Sequence, residues 1–321
     1  MELIIKPTSA CNMCCDFCAA SKIKTDKETI PNQQIIDIID SIDPECLIFT
    51  GGDPLCVEPN YYLNLIEKYP DKHIDMTTNL KDFYLNPDKW LKVLKHPNVS
   101  ICTSFNYGNT RKWSKNEIYT EEKFKKVMYK FKSLIGYMPP FIAVIDGNNI
   151  DTVFKTVNLA KELGTRCRIN NAMKMGRQGD YFPRYKVFEK WLEIIEAGLE
   201  EYEITCSERK YGKCPINSNL LCQSTIRAIY VNDNNELIYN NCEDKLNLNC
   251  PNIKIDNDKV KPDIVNIKHT DTINSNCQYC ELFRICNGCS TNREQAKKYC
   301  PEYCEEMLKL KDRIIKTGWK L

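Results

Sequence analysis

The first 180 residues alternate between short apolar runs and longer segments with apolar residues at helical spacing. The runs at 3–8, 46–50, 74–78, 99–104, 141–145 and 166–170 read as buried strands. The segments at 32–43, 58–68, 87–95, 120–135 and 151–163 read as helices. Strand–helix alternation at this spacing predicts a parallel sheet with right-handed crossovers. Six such units fall short of a closed eight-stranded barrel. The expected fold class is therefore α/β: a partial (β/α)6 TIM barrel over residues 1–181. An amphipathic helix over 182–202 carries Phe182, Val187, Phe188, Trp191, Leu192, Ile194, Ile195 and Leu199 on its apolar face. The stretch 182–205 would link the barrel to a small cysteine-rich domain at 206–321, where periodicity weakens. Within that domain the pattern predicts a hairpin at 228–231 and 236–239 and a closing helix over 305–320.

Composition narrows the chemistry. The chain has 321 residues and a formal net charge of +2, which argues against general nucleic-acid binding. Nineteen cysteines are far above ordinary usage and mean either disulfides or metal. The N-terminus, Met1-Glu2-Leu3-Ile4-Ile5-Lys6, has no basic segment and no long apolar segment of a signal peptide. No run approaches the ~20 apolar residues of a membrane span. The expectation is a cytoplasmic, reduced, metal-binding protein with no membrane partner. Only three histidines occur, His73, His96 and His269, so metal sites must be dominated by cysteine. Thiolate-rich ligation suits iron–sulfur clusters or zinc.

The chemistry-bearing residues fall at the carboxyl ends of the expected strands, where ligands of such sheets gather. After strand one comes Cys11-Asn12-Met13-Cys14-Cys15-Asp16-Phe17-Cys18. Two registers fit, Cys11-x3-Cys15-x2-Cys18 and Cys11-x2-Cys14-x3-Cys18. Three thiolates on one compact loop can hold a [4Fe–4S] cluster with one iron open, since a closed cluster takes four. A zinc knuckle fits the same spacing. Strand two ends at Gly51-Gly52-Asp53-Pro54, strand three at Thr78 and Asn79, strand four at Ser104, and strand six at Asn170 behind Arg168. Cys46, Cys56, Cys102 and Cys167 read as small core residues.

The first register resembles the C-x3-C-x-aromatic-C signature of the radical S-adenosylmethionine (radical SAM) superfamily, with Phe17 as the aromatic residue. That resemblance assigns Cys11, Cys15 and Cys18 as ligands and leaves Cys14 aside. Gly51-Gly52-Asp53-Pro54 resembles the family's GGEP motif, with Asp in place of Glu, and implies a loop that holds the amino group of SAM. Ser104 matches a family contact to the ribose or the methionine carboxylate. Thr78, Asn79, Arg168 and Asn170 are further cofactor candidates.

The C-terminal spacing is Cys214-x7-Cys222-x19-Cys242, then Cys277-x2-Cys280-x5-Cys286-x2-Cys289-x10-Cys300-x3-Cys304. It resembles the family's SPASM domain, which holds two auxiliary [4Fe–4S] clusters. The resemblance implies Cys214, Cys222, Cys242 and Cys289 on the first. It implies Cys277, Cys280, Cys286 and a later cysteine, Cys304 rather than Cys300, on the second. Two zinc ribbons fit the segment taken alone. Cys206, Cys250 and Arg177 are candidate catalytic groups, and Tyr107, Arg111, Trp113, Arg177 and Arg184 candidate substrate contacts.

The resemblance implies reductive cleavage of SAM to a 5′-deoxyadenosyl radical and hydrogen abstraction from a substrate. Three [4Fe–4S] clusters and an electron donor such as flavodoxin or ferredoxin go with it. The leading expectation is an oxidoreductase that matures a peptide or protein by cross-linking, epimerisation or oxidation. Because the sequence opens on strand one, a separate peptide-recognition protein, or a docking surface on this chain, would bind a leader. The alternatives are the same radical chemistry on a sugar, nucleoside or amino acid, and a non-enzymatic zinc scaffold.

Overall fold

The structure is a computed structural model that describes residues 2–18, 29–174, 177–210, 280–282, 296 and 298–318, and the strand segments 225–231, 237–240, 254–256 and 259–261. Six parallel strands form a half-barrel: β1 (Glu2–Ile5), β2 (Cys46–Phe49), β3 (His73–Thr77), β4 (Val99–Ser104), and β7 (Phe141–Ile145) and β8 (Cys167–Asn171) after a small excursion. They lie in the order β1-β2-β3-β4-β7-β8. The partial (β/α)6 barrel expected from the hydrophobic pattern is the observed fold.

Helices α1 (Asn32–Ile42), α2 (Pro59–Lys68), α4 (Pro87–Leu94), α5 (Glu121–Ile135) and α6 (Val153–Leu163) connect the strands, with a short α3 (Lys81–Leu85) directly after β3. Each strand buries alternate residues against these helices: Leu3 and Ile5, Leu47 and Phe49, Ile74 and Met76, Val99 and Ile101, Phe141 and Ala143, Cys167 and Ile169. The intervening residues face the concave side and stay half-buried, among them Thr50, Asp75, Cys102, Ser104 and Arg168. That side is where an open barrel receives a ligand.

Some boundaries differ from the sequence expectation. After β4 the chain makes a hairpin, β5 (Lys112–Ser114) and β6 (Glu117–Ile118). These strands are too short and too charged to show in a periodic pattern. The helix expected over 182–202 is α7 (Arg184–Glu196), which stops where Gly198 takes a left-handed conformation (φ +67°). A 3₁₀ turn, Glu200–Tyr202, and α8 (Ile204–Lys210) follow. The closing helix is two pieces, α9 (Tyr303–Lys309) and α10 (Lys311–Lys316), broken at Leu310.

The hairpin predicted at 228–239 is β9 (Thr225–Val231) with β10 (Leu237–Asn240). It joins the barrel sheet, with β9 parallel to β1. Its turn lies outside the described residues. A further pair, β11 (Lys254–Asp256) and β12 (Lys259–Lys261), forms a separate two-stranded sheet.

The opposite edge of the sheet is blunted by one side chain. The backbone of Glu203 makes a single parallel bridge to Cys167. Its carboxylate then accepts the N–H of Ile169 at 2.8 Å and that of Cys206 at 2.6 Å. Glu203 thus takes the place a seventh strand would fill and holds α8 against β8. Burial pushes its carboxyl above the usual range. Glu203→Ala leaves two buried N–H groups without acceptors and should cost about 2–4 kcal/mol in urea unfolding. Because the folded-state pKa is raised, the wild type loses stability as pH rises from the ordinary glutamate value toward that pKa. Glu203→Gln should therefore be penalised less at pH 7 than at pH 4.5.

Candidate functional site

The cysteine loop is fixed from three sides. On the β2 side, Gly52 N–H donates to Thr8 O at 3.1 Å and Asp53 N–H to Ala10 O at 2.7 Å. A Cβ on Gly52 would lie 2.0 Å from Ala10 O and 2.5 Å from Ser9 O, so only glycine allows this approach. Gly51, at φ +124°, is equally constrained, with Thr8 O 2.8 Å from a would-be Cβ.

Asp53 is 2% exposed and points inward. Its carboxylate accepts from Leu55 N at 2.9 Å, Thr78 Oγ1 at 2.9 Å and Asn79 N at 2.7 Å, which stitches the end of β2 to the end of β3. Burial pushes the Asp53 carboxyl up to about 6 against these bonds. Its oxygens are occupied by the protein's own donors. The Asp that replaces the family's Glu is therefore placed as a rim brace in this structure.

On the β3 side, Asn79 donates from Nδ2 to Asn12 Oδ1 at 2.9 Å and toward Cys11 Sγ at 3.7 Å. Lys81 Nζ donates to Asn12 O at 2.8 Å and to Trp113 O. On the β4 side the β5–β6 excursion lies along the loop: Cys14 N–H donates to Lys112 O at 3.2 Å and Asp16 N–H to Thr110 O at 2.8 Å. The Lys112 ammonium pairs with the Asp16 carboxylate at 2.8 Å. Arg177 closes the far end, its N–H on Cys18 O at 2.9 Å.

Cys14 and Asp16 both bond to the excursion through their backbone. Cys11 and Cys15 pack against the core. Burial pushes the Cys11 thiol up, with the charges of Asp53 and Cys15 adding to it. Cys56, whose thiol burial pushes up to about 12, lies nearby and accepts the Asn12 N–H.

The other expected residues are placed as follows. Ser104 Oγ accepts from Arg111 Nη1 at 3.0 Å. Arg111 also bonds Asn106 at 2.9 Å and lies 4.9 Å from the centre of the Phe17 ring. Trp113 is buried, with the Lys81 and Lys123 ammonium groups each 5.0 Å from its ring. Tyr107 donates to Glu121 at 3.0 Å. Arg168 forms an ion pair with Glu208 at 3.0 Å, and Asn170 is exposed. Arg184 starts α7 with its guanidinium 5.3 Å from the Phe188 ring.

Cys206 is fully buried, with its sulfur on Trp191 O at 3.5 Å. Cys280 is half-buried, Cys300 buried and Cys304 exposed. Cys214, Cys222, Cys242, Cys250, Cys277, Cys286 and Cys289 lie outside the described residues. Sequence reasoning missed Asn12, Lys81 and Asn149. Asn149 Nδ2 bridges Val144 O at 3.0 Å and Tyr107 O at 3.3 Å across the rim. All three act through contacts between distant strands, which leave no local pattern.

Residues 5–160 match the model of the Radical SAM superfamily. The chain carries a Radical SAM domain over these residues. Two solved structures of Streptococcus suis SuiB share the fold, one bound to precursor peptide SuiA and one bound to S-adenosylmethionine. Their TM-scores are 0.58 and 0.55, each at 17% identity and covering 94% of this chain and 74% and 75% of those chains. No curated protein matches the sequence. Among the described residues, no helix is long and apolar enough to cross a membrane.

Radical SAM proteins use SAM and a [4Fe–4S] cluster. The residues present fit that group. Cys11, Cys15 and Cys18 are half-buried on one loop at the mouth of the barrel, and no disulfide joins the described cysteines. Among the described residues, no three His, Cys, Asp or Glu side chains converge on a single-ion site. Gly52→Ala should displace the loop, lowering both the melting temperature and iron uptake on reconstitution. Gly136→Ala, with nothing within 4 Å of the added carbon, should cost only the strain of its positive φ, about 1–2 kcal/mol, and leave iron uptake intact.

Proposed function

We propose that this chain is a SPASM-type radical SAM enzyme that modifies a peptide. The observation that carries the reading is the cysteine loop at the end of β1, clamped against Gly51-Gly52 at the mouth of an open barrel. With the cluster and SAM bound, the chemistry supplied is electron transfer into SAM, cleavage of its S–C5′ bond to methionine and a 5′-deoxyadenosyl radical, and hydrogen abstraction by that radical.

In this reading the protein's own residues bind, orient and exclude solvent. Cys11, Cys15 and Cys18 would hold the cluster. Gly51 and Gly52 let the backbone approach the cofactor, while Asp53, Thr78 and Asn79 keep the ends of β2 and β3 rigid beneath it. Ser104, with Arg111 bonded to it, offers polar contacts at the end of β4, and Arg168 and Asn170 extend that rim. The half-open concave face leaves room for a second ligand beside the cofactor. Arg184, Tyr107 and Arg177 would contact that ligand.

Peptide modification is supported by the breadth of the structural likeness. The SuiB structure bound to precursor peptide SuiA covers 94% of this chain, including the region beyond the barrel. The C-terminal cysteines, Cys214, Cys222, Cys242 and Cys289 with Cys277, Cys280, Cys286 and Cys304, would hold two auxiliary [4Fe–4S] clusters in a domain over 206–321. A flavodoxin or ferredoxin would deliver the electron in the cytoplasm, and a separate protein or a surface of this chain would present the peptide.

Anaerobically reconstituted protein should contain about twelve irons per chain, three clusters of four. It should release 5′-deoxyadenosine when reduced with dithionite in the presence of SAM. Cys15→Ala should abolish that release and Cys14→Ala should retain it. Stoichiometric zinc without SAM cleavage would overturn the reading, and loss of cleavage in Cys14→Ala alone would overturn the register. A mass change in a short peptide encoded beside this chain, upon co-expression, tests the substrate class.

A further inference from the structure

Two side chains from one turn reach the same residue of the cysteine loop. At the end of β3, Asn79 Nδ2 donates to the side chain of Asn12 at 2.9 Å, and Lys81 Nζ donates to the Asn12 backbone carbonyl at 2.8 Å. Asn79 Oδ1 accepts the backbone N–H of Lys81 at 2.8 Å, so each fixes the other. Between them Leu80, fully buried, sits in the left-handed region at φ +59°. That conformation costs a leucine about 1–2 kcal/mol. The strained turn brings both side chains onto the loop.

The ammonium of Lys81 is also confined. It donates to Trp113 O and lies 5.0 Å from the Trp113 ring, beside which the Lys123 ammonium also lies. Among the described residues no carboxylate forms an ion pair with it. Glu117, the nearest candidate, is bonded to Lys123. Burial lowers the Lys81 pKa, and the charges of Cys14, Glu117 and Cys11 act against that lowering.

The other cations at the loop are differently placed. Lys112 is neutralised by Asp16, Arg111 lies on Phe17, and Arg177 Nη1 reaches Cys15 O at 3.5 Å. On the Cys11 side the charge of the buried Asp53 carboxyl works against added electron density, and Lys81, bonded to the adjacent Asn12 carbonyl, is a cation placed to oppose it. A fixed positive charge in a half-buried setting favours the more negative, reduced form of an iron–sulfur cluster.

We propose that Lys81 is a positioning residue that fixes the Cys11–Cys18 loop through Asn12 and raises the reduction potential of the cluster this loop would hold. The inference rests on the radical SAM reading above. It adds a residue from the β3 turn to the determinants of electron entry.

The test is an EPR-monitored redox titration of anaerobically reconstituted full-length protein, with dithionite as reductant. The signal that changes on addition of SAM identifies the cluster on this loop. Lys81→Gln should titrate at a more negative potential than wild type, with iron content unchanged. Lys81→Arg, which keeps the charge, should stay near wild type. Lys123→Gln, which removes the other ammonium beside Trp113, should leave the potential where it was. Lys81→Met, which keeps the packing against Trp113, should shift in the same direction as Lys81→Gln and serves if Lys81→Gln assembles too little cluster to titrate.

A wild-type potential in both neutral variants overturns the proposal, even if their iron content falls. The absence of any SAM-responsive cluster signal in the wild type overturns the radical SAM reading instead, so the two failures are distinct.

Discussion

The approach of Gly52 to the backbone of Ser9 and Ala10 is the contact on which the rim of this barrel depends. A Cβ at Gly52 would sit 2.0 Å from Ala10 O, inside any tolerable separation. With no side chain in the way, the loop after β1 lies directly on the loop after β2, joined by Gly52 N–H to Thr8 O and Asp53 N–H to Ala10 O. The cysteine loop begins one residue later. Its start is therefore set by main-chain bonds, which are stiffer than any contact between long side chains. Asp53 then carries the constraint onward, since its carboxylate accepts from Thr78 and from the Asn79 N–H. Three strand ends are locked together before any cofactor arrives.

The electrostatics of the loop follow from this brace. A carboxyl that is 2% exposed lies behind Cys11, and burial raises both that carboxyl and the Cys11 thiol. Burying negative charge beside buried thiols is unfavourable unless cations stand nearby. They do: Lys81 on the Asn12 carbonyl, Lys112 against Asp16, Arg111 over Phe17 and Arg177 at the far end. The excursion after β4 supplies two of the four, which explains why a short charged hairpin interrupts an otherwise regular series of strand–helix units.

The two edges of the half-barrel are treated differently. At β8 the Glu203 carboxylate takes the Ile169 N–H, so the edge ends in a side chain rather than in unpaired backbone. At β1 the edge is covered by β9, which comes from the C-terminal segment and runs parallel to β1. The strand that precedes the cysteine loop is thereby paired on both sides, by β2 and by β9. A sheet that leaves its concave face open while closing its edges can receive a bulky ligand without exposing strands to association.

Much of this was legible in the chain itself. The six strands, the helices between them, the three-cysteine loop and the Gly-Gly turn all leave local signals: alternating burial, helical periodicity and fixed spacing. Those signals arise within a few residues, so the sequence alone determines them. The roles of Asn12, Lys81 and Asn149, the inward turn of Asp53 and the engagement of Ser104 by Arg111 left no such trace. Each depends on which strand ends meet, and on hydrogen bonds between residues that are, as with Lys81 and Asn12, 69 positions apart. The packing of Cys11 and Cys15 against the core is of the same kind: spacing admits Cys14 as readily as Cys15, and only the folded loop sets which side chains meet the core.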